Sequence, residues 1–200
     1  MTVSDGCIRL AGAADIPALY DICLRTANAG DDASALYSDP HYPGQRFSVP
    51  YAVLEPRFAF VMERDGRVLG YVVATPDTVT FESRLEAQWW PALREAYAGR
   101  RAVTSFDQPL LDAIYQPALT PERLTLDWPA HLHINLLPEA QGSGWGRKLI
   151  EKQLETLRSA GVKGVHLGAS LQNEKVCAFY QRLGFQHILR SNAIYMGQTL

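Results

Sequence analysis

The chain has too few cysteines for a disulfide scaffold. Cys7, Cys23 and Cys177 are odd in number, far apart and contain no C-x-x-C pair. They read as reduced, small hydrophobes of a cytoplasmic protein. An excess of charge of one sign is missing too: 19 basic residues face 21 acidic ones, for a formal net charge of −2. A surface built to hold nucleic acid or an anionic membrane carries a clear basic excess, so neither partner is expected. No run approaches the roughly 20 apolar residues that cross a bilayer. The opening stretch MTVSDGCIRLAGAADIP has no cationic start and no apolar run of signal-peptide length. What is abundant is core: 47% of 200 residues are hydrophobic, enough for one sizeable core and one domain.

Periodicity then divides the chain. CIRLA (7–11) predicts a short strand, and Asp15 precedes Pro17 and the helical spacing Ile16, Leu19, Tyr20, Cys23, Leu24. Residues 27–47, rich in turn formers and aromatics, predict a long, exposed, functional loop. RFAFVMERDGRVLGYVVATP predicts a hairpin turning at Asp65-Gly66. From about 76 to 129 strand alternation stops. Leu85, Trp89, Leu93 and Tyr97 recur at helical spacing across Pro91, and a second helical pattern covers Leu110–Tyr115. This block reads as a helical insertion within a single domain, 1–200.

The second half predicts a strand at HLHINLLP (131–138), then a helix carrying Leu149, Ile150, Leu154 and Leu157 and ending near Gly161. VKGVHLGAS is the next strand. Asn173 then caps a helix with Val176, Phe179, Tyr180 and Leu183, stopped by Gly184. FQHILR and AIYMGQ close as strands. The expected class is α/β, a mixed central sheet flanked by helices, with the insertion before the fourth strand.

Between the 131–138 strand and its helix stands LLPEAQGSGWGRKLIEKQL (136–154), with Gly142, Gly144 and Gly146 at alternate positions. A dinucleotide fingerprint needs G-x-G-x-x-G and a P-loop needs G-x-x-x-x-G-K-[ST]; neither spacing is met. The remaining pattern is Q-x-x-G-x-G, from Gln141, Gly144 and Gly146. Its physics is that of anion binding: amides at a helix N-terminus converge on a phosphate, aided by the helix dipole. Missing side chains let a pyrophosphate approach, and Arg147 and Lys148 add charge at the rim. The plain alternative is a glycine-rich turn without a ligand.

LLPEAQGSGWGRKLIEKQL followed by NEKVCAFYQRLGF resembles the two best-known motifs of the GCN5-related N-acetyltransferases, with Asn173, Tyr180, Gly184 and Phe185 matching the second. The pair covers roughly 130–190. A closer resemblance, over nearly the whole chain, is to the acetyltransferase-like C-terminal domain of eukaryotic O-GlcNAcase and its bacterial stand-alone relatives. The first resemblance implies an enzyme that moves an acetyl group directly from acetyl-CoA to an amine on a small molecule or protein side chain. The second adds an alternative, a silent acyl-CoA-binding or interaction module, against which the intact Q-x-x-G-x-G stands.

The resemblance also implies roles. The backbone of Leu136, Leu137 and Pro138 would pair with the amides of acetyl-CoA, and a backbone N–H of Leu136 or Leu137 would meet the thioester oxygen. Gln141, Gly142, Ser143, Gly144, Trp145, Gly146 and Arg147 would form the phosphate turn, and Asn173 would reach the linker or simply cap a helix. Tyr180 would be the acid beside the departing thiolate, or an ordinary core tyrosine.

A base is also wanted, because an amine with pKa near 10.4 is neutral in only about one molecule in a few thousand at pH 7. His131 and His133 alternate with Leu132 and Ile134 and so share a strand face with Asn135. They suit a base or relay, or a pair hydrogen-bonded beneath a helix. Two ligands without a third make no metal site. Asp127 is a lesser candidate base and Cys177 a lesser nucleophile, while His166 and His187 read as structural. Asp31, Asp32, Tyr37, His41 and Tyr42 stand where the family binds acceptors. Trp89, Trp90 and the final strand suit either a core or a homodimer interface.

Overall fold

The computed structural model describes residues 6–200; the first five residues of the opening stretch, and the leader reading that included them, lie outside the described residues. Seven strands form one sheet: β1 Cys7–Leu10, β2 Ala59–Arg64, β3 Arg67–Thr75, β4 Ala130–Leu136, β5 Gly164–Ala169, β6 Gln186–Arg190 and β7 Ile194–Thr199. Their order is β1-β2-β3-β4-β5-β7-β6, antiparallel throughout except for β4 beside β5. The hairpin β2–β3 turns on Asp65 (φ 54°) and Gly66 (φ 71°), the pair of positive angles that a two-residue turn between right-twisted strands requires. β3 is the axis of the core, with Leu69 and Tyr71 through Ala74 all buried.

Among the described residues nine α-helices accompany the sheet, beside three short 3-10 turns. On one face lie α1 Ile16–Leu24, α2 Tyr42–Phe47 and α3 Val49–Leu54, with α1 and α3 packed on β3. On the other lies α8 Trp145–Ser159, which buries Leu149, Ile150, Leu154 and Leu157 against β2, β3 and β4. The short α9, Val176–Arg182, lies near its N-terminus: a Cβ on Gly146 would stand 3.4 Å from the Phe179 ring. The insertion holds α4 Thr78–Gln88, α5 Trp90–Ala96, α6 Asp107–Tyr115 and α7 Glu122–Thr125. Among the described residues, no helix is long and apolar enough to cross a membrane.

Three expectations need correction. Residues 27–47 are not an exposed loop throughout: Gly30, Asp31, Asp32, Ser34 and Ala35 are exposed, but Ala33, Tyr42, Pro43 and Gly44 are buried, and α2 occupies the end of the stretch. The helical spacing around Pro91 is two helices, because Trp89 leaves the helix and Pro91 opens the next one. Asn173 is not an N-cap; α9 starts at Val176, whose N–H donates to the Asn173 carbonyl at 3.2 Å. The residues that suit either a core or a homodimer interface make contacts within the chain. Trp90 is buried, Trp89 donates to Gln45 O at 2.9 Å, and β7 is flanked on both sides by β5 and β6.

Candidate active site

β4 and β5 begin as a parallel pair, Ala130 opposite Val165 and His131 opposite His166, and their pairing ends there. β4 runs on to Leu136 and β5 to Ala169 without touching each other's ladder. On its other side β4 stays paired to β3 throughout. The Leu137 N–H donates to Leu69 O at 2.8 Å, which makes the odd-numbered positions of β4 the hydrogen-bonded ones in that ladder. The N–H and C=O groups of Ile134 and Leu136 therefore face the gap. Of the two donors expected for a thioester oxygen, the Leu137 amide is already committed and the Leu136 amide is directed into the opening. The Leu136 carbonyl is held by Gln141 Nε2 at 2.9 Å, so Gln141 braces the strand end.

The gap widens into a cavity of about 1440 Å³. Leu136, Gln141, Gly142, Gly144, Gly146 and Arg147 line it from the β4–α8 side. Asn173 and Tyr180 line it from the β5–α9 side, and His133 joins them. Gly142 (φ +73°) and Gly144 (φ +83°) adopt left-handed backbone, and a Cβ on either would meet nothing within 4 Å. The space above this turn is open, at the N-terminus of a fifteen-residue helix, which is the geometry an anion needs. Residues 142–146 thus fit a pyrophosphate. Ser143 closes the turn by donating to Ala140 O at 3.2 Å. Trp145 turns away, under Lys148 Nζ at 4.2 Å from its ring and against Gly6. Leu137, Pro138 and His131 stand behind the cavity wall.

Tyr180 is brought to the cavity by α9, with its ring edge-on to Phe179 and Phe185. Burial, and then the neighbouring Cys177, hold its phenol well above the ordinary tyrosine value. The hydroxyl therefore stays protonated at neutral pH and remains a hydrogen-bond donor.

The two strand histidines join a chain of hydrogen bonds whose direction can be assigned from its far end. Thr78 Oγ1 donates to Pro129 O at 2.7 Å and therefore accepts from His131 Nδ1 at 2.7 Å. His131 Nε2 is then the unprotonated nitrogen and accepts from the Tyr51 hydroxyl at 2.6 Å. The Tyr51 oxygen in turn accepts from His133 Nε2 at 3.1 Å. His133 is left with Nδ1 as its lone pair, the one ring nitrogen of this chain without a protein partner among the described residues. Burial lowers both imidazoles; the charge of Arg46 adds to it for His133, which is pushed down to about 4. Both rings are neutral at pH 7. Asn135, on the same face, ties Tyr71 to Thr26 at 2.9 and 2.6 Å.

The remaining candidates separate. Asp31 and Tyr37 line the cavity, whereas Asp32 folds back on Ser34 at 2.8 and 2.6 Å. His41 packs edge-on against Tyr20 and Tyr42 against Tyr97. Asp127 is exposed ahead of β4, Cys177 is half-buried outside the cavity wall, and His187 is exposed on β6. His166 is buried and its Nδ1 meets Trp128 O at 2.7 Å. Tyr51, Thr78 and Arg46 were not found from the sequence; they reach β4 from other elements, and no spacing motif carries them.

Comparison with known proteins places this geometry. Residues 121–185 match the family described as acetyltransferase (GNAT) family. The crystal structure of SsHAT has a TM-score of 0.89 and 35% identity, covering 98% of each chain. A GNAT family acetyltransferase from Brucella melitensis, solved in complex with acetyl-CoA, has a TM-score of 0.52 at 19% identity over 98% of this chain and 89% of its own. Protein O-GlcNAcase of Rattus norvegicus is 20% identical over 196 residues, 93% of this chain; the chain spans only 21% of that protein's length. With a glycine turn on α8, a parted β4–β5 pair and a full-length relative at this identity, the chain belongs to the acetyltransferase (GNAT) family.

Proposed function

We propose that the chain transfers an acetyl group from acetyl-CoA to an amine, on a small molecule or a protein side chain, by direct attack on the thioester. The observation that carries this reading is the parting of β4 from β5. It leaves the Ile134 backbone groups and the Leu136 N–H facing a gap that continues to the open glycine turn. The turn would hold the pyrophosphate, and the β4 edge would pair with the amides behind it as an added strand does. The acetyl group supplies the electrophile. The Leu136 N–H is placed to donate to its oxygen as negative charge develops.

As the amine nitrogen bonds to the carbonyl carbon, the carbon–sulfur bond breaks and the electron pair leaves on sulfur. Tyr180 donates a hydrogen bond there. The attacking nitrogen becomes acidic as its lone pair enters the new bond, and it loses a proton to His133 Nδ1, directly or through water. His131, Tyr51 and Thr78 hold His133 in the tautomer that keeps Nδ1 free. A group of pKa about 4 is a weak base, so His133 takes a proton only from a nitrogen already committed to reaction.

The test is release of free CoA from acetyl-CoA with a panel of amines, alongside calorimetric CoA binding. Turnover with any amine above the rate without protein supports the reading. Binding with no turnover on any acceptor assigns the chain to the silent-module alternative.

A further inference from the structure

Arg46 stands out among the arginines of the described residues. Each of the others is either exposed or carries a hydrogen bond or ion pair; Arg46 is half-buried and has neither. Among the described residues no carboxylate lies within ion-pair distance of it, Asp31 on the cavity wall included. Asp39 holds Arg100 at 2.6 Å, and Asp107 accepts from Ser38, Val103 and Thr104 at 2.7 to 2.9 Å. What surrounds Arg46 is aromatic. Its guanidinium lies 5.0 Å from the Phe47 ring centroid, and that ring meets His133 edge-on at 5.5 Å. Phe47, His133 and Tyr37 all line the cavity. Arg46 itself does not line the cavity; its guanidinium lies against Phe47, whose ring also meets the histidine that we assign as proton acceptor. Its field reaches the same groups: it opposes protonation of His133 and is itself felt by Tyr37 and Tyr51.

Withdrawing a guanidinium from water without a counter-charge is unfavourable, and a stacked ring returns only part of the loss. Arginine keeps its charge under all ordinary conditions, and its planar fork matches carboxylate and phosphate. An unpaired guanidinium beside a substrate cavity is thus a socket for an anion that arrives with the substrate.

We infer that the acceptor is a small amine that also carries an anionic group, a carboxylate or a phosphate, which Arg46 holds while the amine faces His133. This rests on the acetyl-transfer reading above and adds the class of acceptor. Arg46 selects; it does not take part in bond making.

The experiment uses the full chain with acetyl-CoA and matched acceptors: glycine, β-alanine and γ-aminobutyrate for carboxylates, phosphoethanolamine for phosphate, propylamine as the neutral-tailed amine and putrescine as the dication. Release of free CoA gives kcat/KM for each. Calorimetry on CoA-loaded protein gives acceptor affinity where turnover is absent. The expected result is an advantage of about tenfold or more for an anionic acceptor over propylamine, the worth of one charge-assisted hydrogen bond. In Arg46→Gln that advantage should vanish, mainly through KM or affinity, and Arg46→Lys should restore part of it. The carboxylate and phosphate arms tell which anion is meant. Equal or better use of putrescine, an unchanged preference in Arg46→Gln, or no preferential binding of any anionic acceptor overturns the inference. CoA binding, measured on wild type and Arg46→Gln, should be equal. Its loss in wild type would strike the acetyl-transfer reading, whereas its presence without anion selectivity strikes this inference alone.

Discussion

At Gly144 the backbone angle of +83° and the open space above the turn make a substitution informative in two ways. Gly144→Asp introduces strain of roughly 1 kcal/mol from the left-handed backbone and sets a carboxylate where the pyrophosphate should approach. CoA affinity should fall at least about tenfold, near 1.4 kcal/mol, while the thermal transition drops only slightly; calorimetry and a melt read the two effects apart. Unchanged CoA binding in a folded variant would remove the turn from the site. Tyr180→Phe keeps the ring and its contacts with Phe179 and Phe185. Since burial makes this phenol a poor acid, losing it should lower kcat only about tenfold, below the usual range of general-acid effects. A loss beyond about a thousandfold would mean that the proton is transferred after all. The glycines were legible because a phosphate turn is local, a matter of spacing within six residues. The partners of the histidines were not. Tyr51 stands 80 positions from His131 and Thr78 stands 53 away, and periodicity carries no information across such distances.

Among the elements, α6 is fastened by one carboxylate. Asp107 is fully buried; burial pushes its carboxyl up, but hydrogen bonds from the Ser38, Thr104 and Val103 backbones and the Ser38 hydroxyl outweigh that and hold it down to about 2. Against an unfolded value near 3.9, the unfolded chain takes up the proton first as pH falls. The stabilisation, about 2.5 kcal/mol by linkage, is fully present above pH 4 and is lost between about 4 and 2. Asp107→Asn should reproduce that loss at neutral pH. An amide cannot accept on both sides, so one N–H would turn toward another donor, and urea unfolding should show a drop of about 1–3 kcal/mol. A variant as stable as wild type would mean that the insertion is not anchored here. The hairpin and α8 were readable as elements because a turn dipeptide and a long apolar stripe identify them. α2 and α3 were missed for the opposite reason: six residues each, opened by Pro43 and Pro50, they offer too few turns for a period to emerge.

The whole molecule should report its buried imidazoles through pH. His131, His133 and His166 are all held below the ordinary histidine value, chiefly by burial. When pH falls through about 6.5 the unfolded chain gains protons that the folded chain refuses. Stability is therefore complete above that value and declines toward pH 4, where His133 itself titrates. Denaturant midpoints measured from pH 7.5 to 4.5 should fall steadily, and a flat profile would show that these rings are charged or exposed in the folded state. The class of fold and the strand-and-helix order of residues 130–200 could be read from the chain. The point where β4 leaves β5 could not, because strand patterns show which faces are buried but not where a ladder stops.

That point has a mechanical meaning. The sheet consists of two plates, β1 to β4 and β5 to β7 with β6, riveted at Ala130–Val165 and His131–His166. An occupant of the gap that bonds to both plates becomes a third rivet, so it would share in carrying the fold as well as in the chemistry. A ligand confined to the native state at a hundred times its Kd adds about 2.7 kcal/mol of stability. In a cell, the stiffness of this protein, and with it its lifetime against proteolysis, would then follow the supply of whatever fills that seam.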